Sequence, residues 1–113
     1  MMDEIFEDLL AQGFRLLTEG ARKVIILKTS DGPCHFQSIF TLDREETQEE
    51  ALLSEISGKQ VTHLLVLLEN TTLDLPSFGF RQQLLARCPG SQDALILLQT
   101  GSQPIPLPLS MLP

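Results

Sequence analysis

The chain lacks tryptophan and tyrosine, has only two cysteines, and contains no long hydrophobic run. Its apolar runs, such as residues 64–68, are far too short to span a bilayer, which takes about 20 residues. Two cysteines are too few for a disulfide framework. The missing tryptophan and tyrosine also remove the usual aromatic surface for stacking. These absences exclude a membrane-spanning protein and a disulfide-stapled one.

Basic residues are also scarce, because eight lysines and arginines stand against fifteen aspartates and glutamates. The net charge of −7 disfavours nucleic acids and anionic membranes as partners, since both are bound through a basic face. Acidic residues crowd the N-terminus at positions 3, 4, 7 and 8, where a signal peptide would carry positive charge. We therefore expect a cytoplasmic protein that binds neither nucleic acid nor membrane.

The length of 113 residues predicts a single domain over residues 1–113. Apolar residues at helical spacing predict a first helix over residues 3–18. Continuous apolar runs predict buried strands at residues 24–27 and 61–68. Asp31-Gly32 is typical of a hairpin, so residues 34–41 should return antiparallel to the first strand.

The remaining segments complete an α/β order of elements. A second helix is predicted over residues 48–57, and a third begins with Ser77 as its N-cap. In the final segment, prolines alternate with apolar residues at Pro104, Pro106 and Pro108. Three N–H groups are thus missing from one side of this strand, which predicts an edge strand antiparallel to residues 94–99. The order is α-β-β-α-β-α-β-β, a mixed sheet with helices on its faces.

The segment that begins at Pro76 resembles the zinc-binding helix of cytidine deaminases, which opens with Pro-Cys-x-x-Cys and continues Arg-Gln. The proline and the Arg81-Gln82 pair are present, but Ser77 and Phe80 occupy the two cysteine positions. The resemblance continues in order along nearly the whole chain, through the Pro/Gly break at 88–90 and the turn at 100–102. It implies a three-layer α-β-α cytidine deaminase-like fold with a five-stranded mixed sheet.

The resemblance also implies where the zinc site would be. The ligand positions fall on Gln48, Ser77 and Phe80, and the proton-shuttling glutamate falls on Glu50. Phenylalanine cannot ligate zinc and serine is a poor substitute for a thiolate, so we expect neither metal nor cofactor. Glu50 has a second interpretation, as the N3 residue of a capping box whose N-cap is Thr47. Ser77 is equally explained as an N-cap, and Phe80 as a core residue.

Other side chains offer little for a rebuilt metal site. The soft or imidazole ligands are Cys34, His35, His63 and Cys88, and no CxxC, HxH or HxxxH spacing occurs among them. The resemblance leaves one further possibility, since two helix N-termini would meet in the pocket, and their free N–H groups favour an anion.

Three interpretations of the function follow. The first is a zinc-less protein of cytidine deaminase-like fold that does not deaminate and serves as a binding or interaction module, self-associating as cytidine deaminases do. The second is an active nucleoside deaminase with misaligned or unusual metal ligands. The third is an acidic α/β interaction domain of unrelated function.

Overall fold

A computed structural model describes residues 3–100 and 102–112, with only the backbone at Thr100. The turn residue Gly101 and the final Pro113 lie outside the described residues. The helices are α1 (Glu4–Thr18), α2 (Glu45–Ile56) and α3 (Phe78–Arg87). The strands are β1 (Lys23–Thr29), β2 (Cys34–Ile39), β3 (Val61–Leu68), β4 (Leu73–Asp74), β5 (Leu95–Thr100) and β6 (Gln103–Pro108). No helix in these described ranges is long and apolar enough to cross a membrane.

The strands form one mixed sheet in the order β2-β1-β3-β5-β6. The pair β3/β5 is parallel and the other pairs are antiparallel, so the predicted α/β class and mixed sheet are confirmed. The two-residue strand β4 is added to the predicted five, and it pairs with β3 after a turn in which Thr71 has a φ of 67°. Its short, polar surroundings carry none of the periodicity by which strands are predicted.

The sheet separates two hydrophobic cores. Alternate residues of a strand point to opposite faces, so Val24 and Ile26 pack under α1 while Ile25 and Leu27 pack under α2 and α3. Helix α1 lies very close to β3 at Gly13. A Cβ atom at this position would collide with the Leu67 side chain. The arrangement is the predicted three-layer one.

The proline-containing strand β6 lies at one edge of the sheet, as predicted. The backbone N–H of Leu109 donates to Ala94 O at 2.8 Å, in register with the β5/β6 pairs. The backbone N–H and C=O groups of the odd-numbered residues of β6 therefore point toward β5, and those positions of the backbone that the three prolines occupy point away from it. The outer side of β6 consequently presents no N–H donor at those positions.

Candidate functional site

The candidate site lies between helices α2 and α3, at the carboxyl end of β3. Lys23 at the start of β1 is the register partner of Leu68 at the end of β3, and its ammonium pairs with Glu45 at the start of α2. Helix α3 follows β4, which pairs with Val66 and Leu67 near the end of β3, so α3 also begins near this end. In open α/β sheets, ligands bind outside the carboxyl ends of parallel strands.

A groove of about 280 Å³ opens between the two helices. It is lined by Glu46, Glu49, Glu50, Leu53, Ser77, Gly79, Phe80, Gln82 and Gln83. Three of the four predicted site residues, Glu50, Ser77 and Phe80, are thus brought together. Gln48 is half-buried on α2 and is not among the residues that line the groove.

Ser77 is the N-cap of α3, as predicted. Its Oγ accepts a hydrogen bond from the backbone N–H of Phe80 at 3.1 Å, which satisfies one of the free donors at the helix start. The serine hydroxyl therefore has a local structural role.

Phe80 belongs to the core under α2 and α3. Its side chain is 2% exposed and lies in the same buried cluster as Leu53 and Leu84. The prediction that Phe80 is a core residue is confirmed, because the ring is packed where the resemblance places a metal ligand.

Glu50 is held by an arginine from the neighbouring helix. The guanidinium of Arg87 donates to both carboxylate oxygens, at 2.8 Å from Nη1 and 3.0 Å from Nη2. This bidentate hydrogen bonding holds the pKa of Glu50 below its usual range. A proton shuttle needs a pKa close to the working pH, so the Arg87 contact favours a charged, structural Glu50.

The predicted capping box at Thr47 is wrong. Helix α2 begins at Glu45, and its N-cap Arg44 makes no side-chain capping hydrogen bond. A 3-10 turn over Leu42–Arg44 runs directly into the helix, and the N–H of Glu45 donates to Leu42 O. The backbone donors of the first turn are thus partly satisfied by the preceding turn, and Thr47 lies inside the helix.

Two glutamates that line the groove were missed by sequence reasoning, and the earlier start of α2 adds one of them, Glu46, to the helix. Glu46, Glu49, Glu50 and Leu53 follow the helical spacing i, i+3, i+4 and i+7, which places them on one face toward α3. That spacing was visible in the sequence, but it identifies the groove only once α3 is known to pack beside this face of α2.

Glu49 is the groove residue whose pKa is raised. Burial raises the pKa of Glu49, the nearby carboxylates of Glu45 and Glu46 raise it further, and the ammonium of Lys23 acts in the opposite direction. Three carboxylates line the groove, so its field disfavours the anion that two helix N-termini alone would attract.

The residues present do not fit a zinc ion. The described residues hold no group of three or more His, Cys, Asp or Glu side chains able to bind a metal. At the position implied for the metal stand an aromatic ring and a hydroxyl that already caps a helix. Neither supplies the anionic or imidazole donor that zinc requires.

The four alternative ligands do not come together, and three of them have other partners. Cys34 is exposed on β2, while the buried Cys88 thiol donates to Ile56 O at 3.4 Å and has its pKa raised by burial. The Nδ1 of His35 lies 2.8 Å from Glu55 Oε1, and that of His63 lies 2.9 Å from Thr62 Oγ1. They form no shared site.

Solved structures of cytidine deaminases have the same fold. The enzyme from Bacillus anthracis matches with a TM-score of 0.73 at 16% identity, covering 94% of this chain and 84% of that chain. The Mycobacterium leprae enzyme matches with a TM-score of 0.64 at 11% identity, covering 89% and 92% respectively. The Burkholderia pseudomallei enzyme matches with a TM-score of 0.61 at 13% identity, covering 92% of both chains. No protein-family model and no curated protein matches the chain.

These matches define the class of fold. At such low identities they show that the chain has a cytidine deaminase-like α/β fold, and its chemistry depends on its own residues.

Glu49→Gln is expected to raise the midpoint of thermal unfolding at pH 7. The folded pKa of Glu49 lies above its ordinary value, so the stability that its protonated form contributes is lost as pH rises through the folded pKa. Glutamine mimics the protonated form, and its advantage should disappear below about pH 4, where glutamate is protonated in both states. Scanning calorimetry between acid and neutral pH measures the difference.

Glu50→Gln is the matched control, one residue further along the helix. The Arg87 contact lowers the pKa of Glu50, so its contribution is present above the ordinary pKa and lost as pH falls through the folded one. This variant should unfold at a lower temperature than the natural chain at pH 7. Shifts of the same sign in both variants would contradict the electrostatics derived for the groove.

Proposed function

We propose that this protein is a zinc-less relative of the cytidine deaminases that does not deaminate and acts as a binding or interaction module. The supporting observation is that two of the three implied ligand positions, Ser77 and Phe80, have structural roles in the fold. Phe80 is 2% exposed in the core, and the Ser77 hydroxyl caps the helix that would carry two ligands.

The chemistry of deamination gives this observation its weight. Zinc deaminases attack the base with a water that the metal activates, while a glutamate that does not ligate zinc moves the protons. This chain offers no thiolate, imidazole or carboxylate at the implied ligand positions Gln48, Ser77 and Phe80, and Arg87 holds Glu50 as a carboxylate. A glutamate without an activated water has nothing to transfer its proton to or from in this mechanism.

The test is a deamination assay with cytidine and deoxycytidine at high protein concentration and with added zinc. We expect no uridine or deoxyuridine above the rate without protein, with a genuine cytidine deaminase assayed in parallel as the positive control. Circular dichroism on the same sample establishes that the protein is folded. Turnover that disappears on chelation and returns with zinc would refute the proposal and favour the active enzyme with unusual ligands.

A second candidate function, an interaction domain unrelated to nucleosides, is favoured by exposed apolar side chains. Phe78 is 61% exposed and Met111 is 69% exposed. A shallow groove of about 200 Å³, lined by Phe78, Leu85 and Leu112 among others, joins α3 to the C-terminal segment. Contiguous exposed apolar surface marks sites of protein association more often than catalysis.

A further inference from the structure

The two edges of the sheet differ in their capacity to pair with another strand. At the β6 edge, three outward-facing prolines remove the N–H donors that a further strand would need. At the β2 edge, the strand Cys34–Ile39 contains neither proline nor lysine. Among residues 3–100 and 102–112, no strand pairs with its outer side.

The register identifies the free backbone groups of β2. The N–H of Thr29 donates to Pro33 O at 3.2 Å, and this pair continues the register of the β1/β2 pairs. Hydrogen-bonded pairs alternate along an antiparallel ladder, so the odd-numbered residues of β2 exchange hydrogen bonds with β1. Because the directions alternate along a strand, the N–H and C=O groups of Cys34, Phe36 and Ser38 point outward.

The side chain of Phe36 adds an apolar contact to this edge. Phe36 is the register partner of Ile26, which lies in the core under α1, so the ring is on the α1 face of the sheet. Helix α1 packs on β1 and β3 and leaves β2 uncovered on that face. The ring of Phe36 is accordingly 43% exposed.

We propose that a second copy of this chain pairs with β2 across a two-fold axis, joining two sheets into one through antiparallel β2 strands. Placing Phe36 opposite its own copy and Cys34 opposite Ser38 of the other copy lets every outward backbone group form a hydrogen bond. This register stacks the two Phe36 rings, a cross-strand aromatic pair. On the opposite face His35 lies across from Gln37.

The distribution of charge favours a second copy of this chain as the partner of β2. Each chain carries a net charge of −7, so two copies repel on the whole and associate most readily where charge is absent. Residues 33–42 contain no Asp, Glu, Lys or Arg, and every cross-strand pair in the proposed register is neutral. This dimer does not depend on the proposed loss of deamination, since β2 lies outside the groove between α2 and α3.

Sedimentation velocity over a range of protein concentrations tests the dimer. The natural chain should reach the mass of two copies, and Phe36→Lys should weaken association about tenfold or more, because like charges then face each other at the axis. Ile105→Lys is the matched control, an exposed apolar residue on the opposite edge strand β6 that should leave the dimer intact. A chain that stays monomeric, or a dimer dissociated by Ile105→Lys and unaffected by Phe36→Lys, would overturn the proposal.

A cross-linking experiment tests the register independently of charge. In the proposed pairing, residue 38 faces Cys34 of the other copy at about 5.5 Å between Cα atoms, within disulfide range. Ser38→Cys should therefore give a covalent dimer under mild oxidation by diamide, whereas the natural chain should not, because its two Cys34 residues are four positions out of register. Ser54→Cys, exposed on α2, is the control that should remain uncross-linked. Equal cross-linking of the two cysteine variants would contradict the register.

Discussion

Phe80→Ala is expected to lower the free energy of unfolding by about 3–5 kcal/mol, the usual cost of truncating a fully buried phenylalanine. The ring is 2% exposed and belongs to the cluster formed by α2, α3 and the sheet, where it contributes transfer free energy and fills volume. A domain of this size is typically stable by about 5–15 kcal/mol, so the variant should be severely weakened. Urea denaturation followed by circular dichroism measures the effect.

Phe78→Ala is a close control, because Phe78 lies two residues earlier on the same helix and is 61% exposed. Its truncation removes few buried contacts and should change the free energy of unfolding by about 0.5 kcal/mol or less. A small effect at Phe80 would mean that the ring is not needed for packing. The position would then be available to a ligand, which contradicts the conversion of this site to core.

Glu45→Gln is expected to lower the free energy of unfolding by about 2–3 kcal/mol. Its partner Lys23 is 8% exposed, and removal of the carboxylate leaves a buried ammonium whose pair is lost. Breaking a fully buried pair costs about 3–5 kcal/mol. The loss expected here is smaller because the Glu45 side chain is 30% exposed and solvent screens the pair. Urea denaturation at neutral pH measures the difference from the natural chain.

The double replacement Lys23→Met with Glu45→Leu distinguishes the effect of an unpaired charge from the effect of altered packing. Apolar residues of similar volume avoid the desolvation of both charges, so we expect a stability within about 1 kcal/mol of the natural chain. If the double variant were as unstable as Glu45→Gln, the loss would arise from packing at this position and not from the unpaired ammonium.

Much of the fold was predictable because several segments carry strong physical constraints. The apolar run of β3 gave a strand whose bounds, Val61–Leu68, were predicted as observed. The prolines of β6 determined both that it is an edge strand and which side pairs with β5. Ser77 was predictable as an N-cap because a short polar side chain precedes a helical segment.

The candidate site was less predictable because it depends on where α2 begins. The acidic segment 43–50 has no apolar periodicity to place its first turn, and the favoured capping box at Thr47 started the helix too late. Only Glu46 was missed for this reason, because it lies outside the predicted helix. Glu49 and the contact from Arg87 to Glu50 depend on how α2 packs against α3, which local sequence signals do not give.

The groove between α2 and α3 brings together Glu50, Ser77 and Phe80, three of the four positions at which the resemblance implies the zinc site. Of its three lining carboxylates, Glu50 is paired with Arg87, whereas Glu49 is only partly offset by Lys23, whose own partner is Glu45. Two of the three implied ligand positions are used for folding, Ser77 as a helix cap and Phe80 in core packing. These observations account for a stable fold without the donors of a metal centre.

Metal content is the measurement that tests the central claim most directly. Untagged protein, purified without chelator, would be analysed by elemental mass spectrometry alongside a genuine cytidine deaminase prepared in the same way. The account predicts zinc far below one equivalent per chain in this protein. Zinc near one equivalent per chain, retained through dialysis, would contradict it and would require a ligand set including Cys34, His35, His63 or Cys88.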